Sequence, residues 1–552
     1  MSQNALRVVP LGGLGEVGKN MMALEYGDDI IVIDCGVLFP EEDMPGVDLV
    51  IPDITYLLER RDRVRAIFIT HGHEDHTGAL PFIVPSLDVP IYAPRLAHGL
   101  ISVKLNNHRP SRGTALHVAE PGVPIPTGSF RVEFFRVCHS IPDAMGLAIE
   151  TPVGTVVHTG DFKIDHTPVD GQATDLEKLA SYGSRGVVLL LSDSTYAELP
   201  GYTPSERVVG DALERTIGDA QGRVLVATFA SLISRIQQVI DAAALHGRRV
   251  AIVGRSMVEN VKMSMQMGYL SAPPGVLLPP GETRHLDGDD VVLITTGSQG
   301  EPTSALVRIA NRDHRDIRVI PGDTVIISAT PIPGNETVIT RTIDNLFRQG
   351  ARVLYDRVAL VHVHGHAAQE ELKIMLSLTK PRHFVPIHGE YHHLVTHSYL
   401  AEEMGVPRDR IFVLEDGDVL ELTADGGEVV ETVPAGHIYV DGKSRRTAGS
   451  PVLRDRRLLS RDGVLVVALA LDRDTGTPIG PPQVVSQGFA DDGETPELLD
   501  KVSKSVADSL DRVSGHPIDW EEVNRTVRDS VRRLVVRETG RCPVIMPVAM
   551  EV

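Results

Sequence analysis

Apolar residues fall in short runs along this chain, and many of the runs stop at polar clusters. "MMALEY" and "IIVIDCG" flank the turn composition "GDD", which predicts a β-hairpin over residues 20–34. "VRAIFIT" (64–70) predicts a strand that ends at "HGHEDH". "FRVEFFRVCHS" (130–140) alternates and ends at His139, and "GTVVHTGD" (154–161) ends at Asp161. "GVVLLLSDS" (186–194) has the unbroken apolar character of a buried strand, and helical candidates such as 77–86 lie between. The first 200 residues thus predict a sandwich of sheets and helices. From about Ser205 the texture changes. The helical "SERVVGDALERTIGDA", the strand-like "GRVLVATFA", the helical "LISRIQQVIDAAALHG" and the strand-like "RRVAIVG" follow one another, and the alternation runs to "GARVLYD". This pattern predicts βαβ units on a parallel sheet, interrupted by the loop "SAPPGVLLPPGE". Residues 357–440 return to strands ending in His and Gly, and 441–460 read as a polar, basic connector. Residues 461–552 read as a small α+β unit, with strands 463–472 and 543–549 and helices near 496–514 and 518–536.

Length and composition then set bounds. The 552 residues suffice for about three or four domains. Hydrophobic content of 42% and charged content of 23% are ordinary for a folded chain, with a core large enough to need no disulfide staples. The three cysteines, Cys35, Cys138 and Cys542, are far apart and odd in number, which points to a reducing compartment, the cytoplasm. The N-terminal segment lacks a signal-peptide pattern, and runs such as "VVLLLS" are too short to span a bilayer, so no membrane partner is expected. A formal net charge of −20 taken alone argues against nucleic acid, because phosphate binding draws on Lys and Arg. A local groove can still be basic, and bound divalent cations invert the sign where it matters.

The glycine-rich "GGLGEVGKN" matches the dinucleotide fingerprint Gly13-x-Gly15-x-x-Gly18, but a hairpin rather than a helix is expected to follow it. It is not a phosphate-binding loop of the Gly-Lys-Ser/Thr type either, since Asn20 stands where Ser or Thr is required. Its glycines are read as turn formers. The cluster His71-x-His73-x-Asp75-His76 is different. A loop just past a strand can splay these side chains around two centres, and imidazole and carboxylate are ligands for Zn²⁺ or Mn²⁺. A single histidine there would be ordinary surface chemistry; three with an aspartate are not. His139, Asp161 and His388 also follow apolar strands, and together these seven residues suffice for two metals.

The same residues, with Asp34 in "IDCG", resemble the metallo-β-lactamase superfamily. Asp193 in "SDST", His366 in "VHGHA" and His388 in "PIHGE" narrow the resemblance to its β-CASP group of nucleases. The stretches "LGGLGEVGKN", "THGHEDHTGALP", "TGSQGEP" (296–302) and "IPGNE" (332–336) are similar to the ribonuclease J family, from about residue 8 to 460 and more weakly beyond. The resemblance implies an α/β fold: a metallo-β-lactamase αββα sandwich (1–204 and 359–440), an inserted β-CASP α/β domain (205–358), a linker (441–460) and a C-terminal α+β assembly domain (461–552). It implies two divalent ions, Zn²⁺ and/or Mn²⁺, one on His71, His73 and His139 and one on Asp75, His76 and His388, with Asp161 bridging and Asp34 orienting ligands. His366 steadied by Asp193 would be the general acid, and His362, Val363, His364, Gly365 and His366 would hold a substrate phosphate. A structural Ca²⁺ would use Gly46, Asp48 and Asp441.

The implied activity is 5′→3′ exonucleolytic and endonucleolytic cleavage of single-stranded RNA, preferring 5′-monophosphate ends, in mRNA decay and rRNA maturation. Implied partners are a second copy of the chain, higher assemblies and other RNA-decay proteins. Two departures bear on RNA contacts: Leu232 and Ser234 replace the family's usual Asn and His, and His364 replaces a usual Ser. The competing classes are a small-molecule hydrolase on the same fold, which would generally lack the insertion, and a silent scaffold, which would have lost metal ligands.

Overall fold

The computed structural model describes residues 5–41, 44–107, 114–298, 304–330, 335–423, 426–442, 444–447, 451–489, 495–511 and 519–552. The chain divides into two compact units, Met1–Phe39 with Leu49–Ile438, and Pro40–Asp48 with Tyr439–Val552.

In the larger unit, two sheets face each other. The first runs, edge to edge, Gly427–Thr432, Asp418–Leu422, Leu6–Gly12, Met21–Tyr26, Asp29–Ile33, Val64–Phe68, Ile91–Ala93 and Leu116–Val118. The second runs His383–Ile387, Val187–Asp193, Gly154–His158, Met145–Thr151, Phe130–Arg136 and Ile125–Thr127. Alternate residues of both sheets, among them Val8, Leu24, Ile31, Phe68, Phe134, Leu147, Val156, Leu189 and Val385, interdigitate in one fully buried core. Burial on both faces explains why Val187–Asp193 is apolar over most of its length. Strands Val187–Asp193 and His383–Ile387 pair in parallel, with Asp193 opposite Ile387, although about 190 residues separate them in sequence. That pairing places Asp193 beside His388 at one sheet end.

Between them the chain forms a six-stranded parallel sheet in the order Leu277–Leu278, Arg249–Val253, Val291–Thr295, Val224–Ala227, Thr324–Ile327 and Arg352–Leu354. The period-2 pattern of Val224–Ala227 sends Val224 and Val226 into one apolar core and Leu225 and Ala227 into another, as a sheet covered by helices on both faces requires. Helices Arg207–Asp219, Ile233–Leu245 and Glu336–Arg348 are among its connections.

Three expectations need correction. Residues 357–440 hold two helices, Gln369–Thr379 and Tyr391–Glu403, besides strands; the apolar stripes Leu372, Met375, Leu376 and Leu394, Leu400, Ala401 are buried at helical spacing. The stretch 441–460 is not a bare connector. It contains strand Ser444–Thr447 and most of helix Pro451–Asp462, whose charge masks a pattern that buries little beyond Leu453. The C-terminal unit has a third strand, Gln483–Gln487, which gives little signal because only Val484 and Val485 are apolar in it. Otherwise that unit has strands Val464–Leu471 and Val544–Glu551 and helices Thr495–Leu510 and Trp520–Thr539 packed on one sheet face. Residues 512–514 and 518, expected to be helical, lie outside the described residues, as do 299–302 of "TGSQGEP" and 332–334 of "IPGNE".

Candidate active site

Strand ends supply most of the site. "GGLGEVGKN" forms no helix; Gly13, Gly15 and Gly18 take φ of 93°, 79° and 126°, and the loop packs on the histidine-rich segment. Asn20 N and Nδ2 donate to Asp75 O at 3.0 and 3.1 Å, and Nδ2 lies 3.2 Å from His76 Nε2. Below it the fully buried Lys19 pairs with Glu16 at 3.0 Å and Asp416 at 3.3 Å.

After Val64–Phe68 the chain turns through His71–His73 into the short helix Glu74–Thr77. His73 Nδ1 lies 3.0 Å from His71 Nε2 and 3.1 Å from His139 Nε2. Asp161 Oδ2 lies 3.7 Å from His71 Nε2, 3.8 Å from His139 Nε2, 3.1 Å from His76 Nε2 and 3.5 Å from His388 Nε2. Asp75 Oδ2 lies 3.3 Å from His388 Nε2 and 3.5 Å from His76 Nε2. One carboxylate oxygen thus stands between two donor groups, His71–His73–His139 and Asp75–His76–His388.

The opposite nitrogens are occupied. His71 Nδ1 lies 3.0 Å from Thr70 Oγ1, His76 Nδ1 2.8 Å from Asp34 Oδ2, His139 Nδ1 2.8 Å from Gly365 O, and His388 Nδ1 2.6 Å from Thr195 Oγ1. These partners assign a proton to Nδ1 in each ring and leave Nε2 facing inward. Thr70 N and Oγ1 donate to Asp34 at 2.8 and 2.9 Å. Asp34 and His388 both adopt left-handed backbone, φ 61° and 54°, a conformation that costs non-glycine residues roughly 1–3 kcal/mol and persists where the surroundings enforce it.

Burial, reinforced by neighbouring histidines, lowers the pKa of His71 and His139 well below the usual range. Burial lowers that of His73 to about 4. Burial alone would raise a carboxyl, yet His388 and His76 hold Asp161 well below its ordinary value. Three neutral imidazoles therefore bring ring nitrogens together at hydrogen-bond distance, with His73 Nδ1 facing Nε2 of both His71 and His139. Such a cluster suits a cation at its centre, and nitrogen and carboxylate donors of this kind suit a divalent transition metal.

His366 stands beside this cluster. Its Nδ1 is 2.8 Å from Asp193 Oδ2, and its ring centroid is 5.0 Å from that of His139 and 5.3 Å from that of His388. Burial lowers its pKa, but Asp193 outweighs burial and raises it. The segment 362–366 is a loop, not a strand end. Its Gly365 is needed for close packing, because a Cβ there would lie 2.6 Å from His139 Nδ1 and 2.7 Å from Ser140 N. The ring of His364 stacks on Tyr196 with centroids 3.9 Å apart. The Nδ1 atoms of His362 and His364 are buried without a protein partner, and burial pushes these side chains down to about 3 and 4, so both are neutral. Val363 is buried.

Leu232 is buried, and Ser234 lines a cavity of about 30 Å³ with His139, Lys163 and Asp165. Gly46, Asp48 and Asp441 belong to the smaller unit. There Arg456 donates to Gly46 O at 2.9 Å and to Asp441 Oδ2 at 2.6 Å, while Asp48 Oδ2 accepts from Gly442 N at 2.7 Å.

Sequence reasoning passes over four contributors: Asn20, Thr70, Thr195 and Glu371. The buried Glu371 carboxylate accepts from Ile164 N, Thr203 N and Ala368 N at 2.7, 2.7 and 2.9 Å, fastening the loop that carries His366. A glutamate in the first turn of a helix gives no signal of that role. Thr70 and Thr195 do carry one, since each is adjacent to or two residues from a candidate.

Comparisons with known proteins agree along the whole chain. Residues 14–187 match the metallo-β-lactamase superfamily, 221–346 the ribonuclease J β-CASP domain, 350–413 the Zn-dependent metallo-hydrolase RNA specificity domain, and 451–552 the ribonuclease J C-terminal domain. The chain is 41% identical over 548 residues to ribonuclease J2 of Bacillus subtilis (strain 168), covering 99% of each chain. It is 43% identical over 557 residues to ribonuclease J of Thermus thermophilus, covering 100% of this chain and 96% of that protein. A crystal structure of a protein of unknown function from Enterococcus faecalis V583 shares the fold at 17% identity and a TM-score of 0.54, over 76% of this chain and 100% of that one.

Proposed function

This chain belongs to the ribonuclease J family and is a metal-dependent ribonuclease, and we propose that it cleaves single-stranded RNA both 5′→3′ exonucleolytically and endonucleolytically, preferring 5′-monophosphate ends, in mRNA decay and rRNA maturation. The observation that carries the chemistry is Asp161 Oδ2 within 4 Å of four imidazole nitrogens from two donor groups. Two divalent cations, Zn²⁺ and/or Mn²⁺, held by His71, His73 and His139 and by Asp75, His76 and His388, would supply a water activated near neutral pH and positive charge for the phosphate.

The chain's own groups do the rest. Asp34 and the backbone carbonyl of Gly365 fix the rings of His76 and His139. His366, its Nδ1 held by Asp193, presents Nε2 as the donor for the leaving 3′-oxygen. The product then carries a 5′-phosphate. Neutral His362 and His364 would contribute hydrogen bonds rather than charge to a bound phosphate, together with the backbone of 362–366. With Leu232 buried, RNA contacts in that region fall to neighbouring groups such as Ser234.

Among the described residues no helix is long and apolar enough to cross a membrane. Cytoplasmic residence suits an RNA substrate. The C-terminal unit supports self-association: Val485, Met546, Val548 and Met550 are 43–62% exposed on the sheet face away from its helices. Contiguous exposed apolar surface of this kind marks interaction sites. The test is cleavage of one RNA carrying either a 5′-monophosphate or a 5′-triphosphate. Faster release of mononucleotides from the monophosphate end supports the reading; equal rates on both ends reject the end preference.

A further inference from the structure

Thr195 lies in the turn that follows strand Val187–Asp193, between two parts of the site that have separate tasks. Its Oγ1 is 2.6 Å from Nδ1 of His388 and 2.8 Å from Oδ1 of Asp193. The other oxygen of Asp193 is 2.8 Å from Nδ1 of His366. The backbone joins the same parts: Thr195 N donates to Asp193 Oδ1 at 3.0 Å, and Ser194 N donates to His388 O at 3.2 Å. Four side chains thus form an unbroken line, His388–Thr195–Asp193–His366, and three of them are buried or nearly so.

A hydroxyl has one proton to give. Asp193 is an acceptor only, and its Oδ1 is nearer to Thr195 Oγ1 than the carbonyl of His388 at 3.2 Å. The Thr195 proton therefore goes to Oδ1, and Oγ1 is left to accept from His388 Nδ1–H. The direction of every bond follows. His388 keeps its proton on Nδ1 and offers the Nε2 lone pair to the donor group it shares with Asp75 and His76. Asp193 keeps Oδ2 for His366 Nδ1–H, which leaves His366 Nε2 facing the reacting groups. Loss of the Thr195 hydroxyl would remove a partner from His388 and from Asp193 at once, and through Asp193 loosen the hold on His366.

We infer that Thr195 is a positioning residue that holds His388 in place for cation binding and, through Asp193, His366 in place for proton donation. The inference rests on the reading above, in which His388 is a ligand and His366 a general acid. Thr70 supplies a counterpart on the other side of the site, between His71 and Asp34, but the second ring that Asp34 serves is His76, another member of the proposed metal cluster, rather than His366. Of the two threonine lines, the one through Thr195 joins ligand to acid.

The experiment compares wild type, Thr195→Val and Thr195→Ser, each in the native and the His366→Ala background, using the full chain. Zn²⁺ and Mn²⁺ affinities are measured by competition with a chromogenic chelator, and turnover on 5′-monophosphorylated RNA is measured at saturating metal. Thr195→Val is isosteric, so packing is kept while the hydroxyl is lost. It should weaken one of the bound ions by about 10–100-fold, the usual effect of removing a partner behind a ligand, and Thr195→Ser should restore it. At saturating metal, Thr195→Val should still slow turnover in the native background and have little further effect once His366 is gone. Unchanged metal affinity in Thr195→Val overturns the proposal, as does a turnover loss of the same size in both backgrounds. If His366→Ala alone costs nothing, the acid assignment fails instead, and the chelator measurement still decides whether Thr195 supports His388.

Discussion

Removal of His366 separates proton donation from metal binding. In His366→Ala the six donors around Asp161 keep their partners, because His366 touches their rings only edgewise or by stacking. Metal content should therefore stay at the wild-type value. Two losses are expected. Asp193 Oδ2 keeps only a long contact, 3.4 Å, from Phe162 N, and a buried acceptor deprived of its partner costs roughly 1–3 kcal/mol of stability. The larger effect is on chemistry. General acid catalysis contributes about 10²–10⁴-fold, or about 3–5 kcal/mol at roughly 1.4 kcal/mol per decade. Single-turnover cleavage of an RNA with one labelled scissile bond reads this directly, alongside metal analysis and a melting curve. The same RNA with a bridging 3′-phosphorothiolate at that bond needs no proton on its leaving sulfur, so the variant should regain most of the lost rate. If the phosphorothiolate gives no rescue, His366 binds substrate and the proton comes from another group.

Asp75→Ala should lose one of two ions and nearly all cleavage with circular dichroism unchanged; a variant that keeps both ions and full turnover refutes Asp75 as a ligand. Glutamate at Val548 and Met550, on the exposed sheet face of the C-terminal unit, should give a monomer by sedimentation without lowering the melting temperature; an unchanged assembly excludes that face. Burial pushes the Asp416 carboxyl up to about 7, with Glu16 adding to the shift and Lys19 opposing it. The folded chain thus holds a proton that the unfolded chain releases, so this group's contribution to stability falls as pH rises from about 4 to about 7, and Asp416→Asn should flatten that slope in denaturant titrations. A Ca²⁺ at Gly46, Asp48 and Asp441 would have to displace the Arg456 guanidinium, so Arg456→Ala should bind Ca²⁺ more tightly than wild type by calorimetry; equal affinities reject a shared site.

The His/Asp cluster is legible in the sequence because its residues follow apolar strands, and a strand end is where a short segment can turn several side chains onto one point. His71, His73, Asp75, His76, His139, Asp161 and His388 all converge in the structure. Less legible are groups whose role depends on what lies across the site. Asn20 serves in the sequence only to reject a phosphate-binding loop, yet its amide lies against Asp75 and His76. Gly365 suggests backbone approach to a phosphate, whereas its nearest neighbours in the structure are His139 and Ser140. Glu371 reads as an ordinary helix glutamate until the three backbone donors around it are known. Helix Pro451–Asp462 escapes the pattern because its many charges leave too few apolar positions to show a period. For Asn20, Gly365 and Glu371 the deciding partners are distant in sequence, and local pattern carries no trace of them.

Two divalent ions on these seven residues should power RNA hydrolysis. Elemental analysis of the full chain purified without chelator, paired with cleavage of 5′-monophosphorylated RNA before chelation, after it and after metal is restored, tests this most directly. Two ions per chain are expected, with loss of cleavage as they are removed, recovery on adding Zn²⁺ or Mn²⁺, and products bearing 5′-phosphates. A chain stripped of both ions that still cleaves at the original rate would contradict that expectation.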